Sequence, residues 1–188
     1  MILYVIGPPC AGKSTAIHYL KKKWDKELII LDERNILLAL AKDHRWQKFI
    51  QLVGRNSFAV LDATIYEISM SILRRKVAEL EKSSSDIIIE FARPKYERAL
   101  EELLNISFTR EVVLFVDAPF SICARRNSLR AQKVNGYMIP MVELRSFFTE
   151  IPLDEQRVPC SFFKITNVGS LEELETQIEE VLYKIKSE

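Results

Sequence analysis

The segment Gly7-Pro8-Pro9-Cys10-Ala11-Gly12-Lys13-Ser14 fits the spacing G-x-x-x-x-G-K-[ST] without a gap. Those residue types in that order suit one chemistry, the cradling of a nucleotide's phosphates. Gly7 and Gly12 permit backbone turns that a side chain would obstruct. The loop amides, with the start of the following helix, then offer hydrogen bonds to phosphate oxygens. Lys13 is the expected point charge near the β- and γ-phosphates, and the Ser14 hydroxyl is the expected magnesium ligand. Thr15 is expected at the helix start, facing the phosphates. Pro8 and Pro9 complete the loop, and Cys10 and Ala11 take positions that need small side chains, so Cys10 reads as filler rather than nucleophile. The ligands implied are ATP and Mg2+.

Further along, polar groups with chemical uses recur at the ends of apolar runs. Asp32 follows Leu28-Ile-Ile-Leu31, and Glu90 closes Asp86-Ile-Ile-Ile-Glu90 with Arg93 just beyond. Asp117 ends a fourth run. Asp32 has two readings: a base that takes the proton from an acceptor hydroxyl, or an N-cap for the helix that begins at Glu33. Glu90 is the alternative base, or a magnesium ligand acting through water. Arg93 reads either as an anchor for a phosphate or carboxylate of the acceptor or as the basic entry to a surface helix. Arg126 and Arg130 are four residues apart and so share one helix face, where an arginine can stabilise charge on a transferring phosphoryl group. His18 and His44 have no partners that suggest a triad or a metal site.

The elements needed to position these groups alternate. Strands are expected over Ile2–Ile6, Leu28–Leu31, Asp86–Glu90, Glu111–Asp117 and Phe162–Thr166, the first of them uncharged and rich in β-branched and aromatic residues. Between them helical spacing runs from Ser14 to Trp24, across Ile36–Leu40 and His44–Val53, from Ser57 to Lys82, from Pro94 to Leu104 and from Ser121 to Arg130, with a Ser83–Ser85 linker. Ser170 caps a last helix in a capping box with Glu173, and Leu171, Leu174, Ile178, Leu182 and Ile185 make its apolar face. The pattern predicts an α/β fold: a five-stranded parallel sheet with helices on both faces, ligands at the carboxyl ends of the strands, and a helical lid. Residues 1–188 read as a single domain. Within it, about 33–62, including Arg45, Trp46, Arg55, Asn56 and Phe58, is expected to cover the acceptor, with Trp46 and Phe58 favoured as core. About 126–159, polar and basic with Gly136, Pro140 and Pro152, is expected to be the lid.

Taken together, the chain resembles P-loop kinases of the nucleoside and nucleotide kinase type: the Gly7–Ser14 loop, Asp32 after the second strand, Arg126-x-x-x-Arg130 opening a lid, and Ile165-Thr-Asn-Val-Gly169 before a helix. The resemblance implies a P-loop NTPase fold, with Arg126 beside the base, Arg130 on the phosphates and Asn167 along the adenine edge. Arg126-Asn-Ser-x-Arg130, Ile139-Pro140 and Leu144-Arg-Ser146 also resemble the lid of polynucleotide 5′-kinases and that of the kinase acting on seryl-tRNA. Polynucleotide kinases carry an arginine three residues after the base. Here Asn35 holds that place and the arginine is Arg34, which becomes a candidate acceptor contact with Asp32, Glu90 and Arg93.

Lys and Arg number 27 against 26 acidic residues, a formal net charge of +1. That balance disfavours binding of duplex nucleic acid through a broad basic face. Cys10, Cys123 and Cys160 have no metal-ligand spacing and read as reduced thiols of a cytoplasmic protein. No stretch approaches the roughly 20 apolar residues that cross a bilayer, so no membrane partner is expected. The function expected is an ATP-dependent kinase acting on a small-molecule phosphate acceptor: a hydroxyl or phosphate of a metabolite, nucleoside or nucleotide. The alternatives are a kinase of nucleic-acid ends or aminoacyl-tRNA and, in another class, an NTP-hydrolysing switch.

Overall fold

The computed structural model describes residues 1–54, 56–80, 85–104, 110–133, 136–149 and 153–187. Expectations for Arg55, Lys82, Ser83, Ser84 and Pro152 lie outside those residues. The strands are β1 (Ile2–Ile6), β2 (Leu28–Asp32), β3 (Ile50–Gly54), β4 (Ser57–Val60), β5 (Asp86–Phe91), β6 (Glu111–Asp117) and β7 (Ser161–Thr166). The helices are α1 (Lys13–Lys23), α2 (Glu33–Lys42), α3 (Thr64–Leu80), α4 (Tyr96–Leu103), α5 (Phe120–Ala131), α6 (Met141–Ser146) and α7 (Leu171–Ser187).

Five strands form one sheet in the order β2-β5-β1-β6-β7, all pairs parallel. The expected fold class is therefore the one observed. β1 is central and buried along its whole length, because helices cover both faces and no residue of a middle strand meets water. Leu3 and Val5 face one core with α1 and α7, and Ile2, Tyr4 and Ile6 face a second with α3 and α4. The capping box forms as expected: the Glu173 amide donates to Ser170 Oγ and the Ser170 amide to Glu173 Oε2. Leu171 is 58% exposed and leaves the predicted apolar face, while Val181 joins it in the core.

Two helical expectations fail in the segment expected to cover the acceptor. His44–Val53 is a short 3-10 turn (His44–Trp46) followed by β3, and Ser57–Val60 is β4 rather than the first turns of a long helix. β3 and β4 pair antiparallel, with Leu52 opposite Phe58 and Ile50 opposite Val60. The apolar residues here recur at helical intervals, but their β-branched and aromatic character suits a hairpin, and pairing with α2 decides between the two. Ile50 is fully buried against Leu37, Leu40 and Ile65. Trp46 and Phe58 pack on that same cluster, as expected for core residues.

Candidate active site

The phosphate loop joins β1 to α1, and its geometry explains its composition. Gly7 has φ +143°, and a Cβ there would lie 2.1 Å from the Val116 carbonyl oxygen. Gly12 has φ +115°, and a Cβ would lie 2.1 Å from Asn167 Nδ2. Cys10 is a non-glycine residue with φ 66°, strain of a kind that gathers at binding sites. Pro8, Pro9 and Ala11 are buried beneath the loop. α1 begins with no side-chain cap, so its first amides keep their hydrogen bonds for a ligand.

Lys13 is buried, with Nζ donating to the carbonyls of Gly7 (2.9 Å) and Pro8 (3.0 Å). Burial pulls its ammonium below the ordinary value, while Glu90 and Asp32 oppose that. Ser14 Oγ donates to Glu90 at 3.0 Å, and Ser14 and Thr15 are exposed to the cleft. Among the described residues no cluster of three or more His, Cys, Asp or Glu is arranged to hold a metal ion. The donor set still fits magnesium as these folds take it, through one hydroxyl, an adjacent carboxylate and the nucleotide's own oxygens.

Sheet register places the two candidate bases side by side, since Asp32 of β2 pairs with Glu90 of β5. Asp32 Oδ1 accepts from the Arg34 amide at 2.8 Å, so it does cap α2. Its other oxygen has no hydrogen-bond partner among the described residues, which leaves it open for a second role. Burial raises Asp32 above its ordinary value, against the Arg34 amide bond and charge, and burial raises Glu90 as well, with Lys13 opposing and Asp32 adding to the rise.

Arg93 goes elsewhere. Its guanidinium binds both oxygens of Glu33 and lies 4.3 Å over the Tyr66 ring, with Glu33 also accepting from Ser69. Glu33 is 2% exposed and Arg93 6%. Arg93 leads into α4 as one expectation had it, but its side chain is not an open anchor for the acceptor, because a buried carboxylate on α2 claims it.

On the lid side, Arg126 donates to Ala11 O (3.1 Å) and Asn167 Oδ1 (3.1 Å), and Asn167 Nδ2 to Ala11 O (2.7 Å). Both expected nucleotide residues therefore brace the loop with their side chains. Arg130 lines the same cavity as Lys13 and is engaged within the chain. It donates to Tyr137 O (3.1 Å), Tyr137 Oη (2.7 Å) and Asn127 Oδ1 (3.0 Å). Arg130 lies 3.7 Å from the centre of the Tyr137 ring and Arg34 lies 3.6 Å from it. Arg34 also donates to the Asn56 carbonyl of the β3–β4 turn. Fully buried Asn127 exchanges hydrogen bonds with the Ile139 backbone (2.8 and 3.0 Å), tying α5 to the lid. Tyr137, Asn127, Glu33 and Glu143 escaped the reading of the sequence. For Asn127 a signal existed, since it and Ile139 stand in the lid pattern itself.

One cavity of about 880 Å³ connects these parts. Its wall runs from Leu171 and Leu174 past Arg126 and Lys13 to Asp32, Glu90, Phe58 and Tyr66. No described helix is long and apolar enough to cross a membrane.

No protein-family model matches the sequence, and no curated protein matches it significantly. Solved structures do. A sugar kinase from Janibacter sp. HTCC2649 aligns with TM-score 0.67 at 15% identity, over 98% of this chain and 94% of that one. Chaetomium thermophilum Kti12 in complex with ADP-AlF3 gives 0.64 at 12%, over 97% and 98%. Shikimate kinase from Aquifex aeolicus gives 0.57 at 18%, over 100% and 97%. At these identities the likeness shows the fold alone, a five-stranded parallel sheet flanked by helices.

Proposed function

We propose that the protein is an ATP-dependent kinase that transfers the γ-phosphate to a small-molecule acceptor. The observation that carries this reading is one continuous cavity with an uncapped helix start and Lys13 at one end and an unengaged Asp32 carboxylate oxygen at the other. A switch that only hydrolyses its nucleotide has no need of the second chamber. A kinase does, because it must hold an acceptor and keep water out.

In this reading the loop amides bind the phosphates, and Lys13 leaves the Gly7 and Pro8 carbonyls for the terminal phosphate. The Ser14 hydroxyl would hold magnesium, which when bound would supply charge neutralisation. Asp32 takes the proton from the acceptor hydroxyl while the Arg34 amide keeps its carboxylate oriented. Arg126 and Asn167 hold the loop in shape beneath the nucleotide. Arg130 reaches the transferring group only after giving up Tyr137, so lid rearrangement accompanies binding. A cytoplasmic setting suits three cysteines with no disulfide.

Calorimetry with magnesium and a non-hydrolysable ATP analogue tests the nucleotide half: binding is expected, and Lys13→Ala should weaken it. Unchanged binding in that variant would overturn the reading. Incubation with γ-labelled ATP across nucleosides, nucleotides, small alcohols and 5′-hydroxyl oligonucleotides tests the acceptor half. Label on the oligonucleotides alone would transfer the assignment to nucleic-acid ends, the alternative drawn from the lid pattern.

A further inference from the structure

The cavity wall carries charges of both signs. Lys13 and Arg126 are engaged at the phosphate loop, and Arg130 shares the Tyr137 ring with Arg34. At the acceptor end the charged groups on the wall are Asp32, Glu33, Arg34, Glu90 and Glu143. Glu33 is neutralised by Arg93 within the protein. Arg34 is held by the Asn56 carbonyl and by the Tyr137 ring, which Arg130 also covers. What remains for a ligand is carboxylate. Asp32 keeps one oxygen open, and the Glu143 carboxylate, half-buried on α6, has no hydrogen bond or ion pair among the described residues, while Glu90 stays with the Ser14 hydroxyl. Phe58 and Tyr66 supply apolar ring faces beside these groups.

Resting on the kinase reading above, we infer that the acceptor is a neutral or cationic polyhydroxyl compound, phosphorylated on a hydroxyl, and that Glu143 helps to select it. Half-buried carboxylates facing an enclosed space favour hydroxyl and ammonium donors, and they repel a phosphate or carboxylate. An anionic acceptor would need Arg34 released from both of its partners or Arg93 stripped from a buried carboxylate, and the second leaves Glu33 unpaired. Ring faces on Phe58 and Tyr66 suit the flat side of a sugar or base. In the reaction the acceptor oxygen forms a bond to the γ-phosphorus as the bond to the bridging oxygen of ADP breaks, and the hydroxyl proton passes to Asp32.

The test uses matched acceptors with γ-labelled ATP and magnesium: a nucleoside with its 5′-monophosphate, a sugar with its sugar acid, and a sugar with its amino sugar. In every pair that reacts, the less anionic member is expected to carry the label. Glu143→Gln should raise KM for the preferred acceptor by about 10- to 100-fold, the loss of a charged hydrogen bond. Glu143→Lys should narrow or reverse the preference within each pair. Preference for an anionic member overturns the inference. So does absence of transfer to every neutral and cationic member by a protein that binds the ATP analogue. Failure to bind the analogue would instead remove the kinase reading itself.

Discussion

At the nucleotide end of the cavity the cations are held by backbone carbonyls and neutral side chains. Lys13 donates to two loop carbonyls, and Arg126 to a carbonyl and an amide oxygen. Such partners are readily exchanged for phosphate, whose charge makes the stronger bond. At the end expected to hold the acceptor, Arg93 differs: it is locked in a buried bidentate pair with Glu33, whereas Arg34 keeps neutral partners, the Asn56 carbonyl and the Tyr137 ring. Carboxylates are left facing the space. The two ends thus differ in whether their charges serve the ligand or the fold, and that difference sets which ligand each end accepts.

Asp32→Asn probes the contrast most sharply. Asn caps a helix as well as Asp does, so α2 should persist, yet it cannot take a proton. Transfer to a hydroxyl should fall by about 10² to 10⁴ while calorimetry finds analogue binding intact. An unimpaired variant would remove Asp32 from the base role. For the wild type, transfer should decline as pH falls through the Asp32 value, which burial lifts above the ordinary 3.8. A rate profile locates that limb.

Arg93→Ala should cost about 3–5 kcal/mol in denaturant unfolding, because Glu33 is left buried and unpaired. A loss confined to acceptor KM, with stability unchanged, would return Arg93 to ligand binding. Tyr137→Leu removes a ring from between two guanidinium groups, a loss of about 1–2 kcal/mol. It should speed amide hydrogen exchange across residues 136–149 and, by releasing Arg34, relax discrimination against anionic acceptors. Glu90→Gln should have the smallest effect on stability. The fold raises the Glu90 carboxyl above its unfolded value, so protonation favours the native state and that contribution is lost as pH rises through the folded value. The variant should therefore melt slightly higher than wild type at pH 7, with the gap closing below about pH 4. Thermal melts at the two pH values decide it.

The phosphate loop was legible because its requirements are local. Gly7 and Gly12 take backbone angles that few other residues tolerate, and the strand before and the helix after have plain signatures. The sheet and the Ser170–Glu173 box were legible for the same reason. The β3–β4 hairpin was not, since residues 44–60 satisfy a helical spacing and only packing of Ile50 against α2 and α3 excludes it.

By itself, then, the sequence determined the α/β layering and the nucleotide cradle, both of which follow from neighbours along the chain. Tertiary structure alone decided the acceptor end. Asp32 stands beside Glu90 because two strands distant in sequence pair in that register. Arg93 is withdrawn from the cleft because Glu33, sixty positions earlier, reaches it. Arg34 and Arg130 meet on Tyr137 because α2 and the lid converge there. A charge's role depends on which partner lies within a few ångströms and on how much water is excluded, and neither is a property of the residue or its neighbours in the chain.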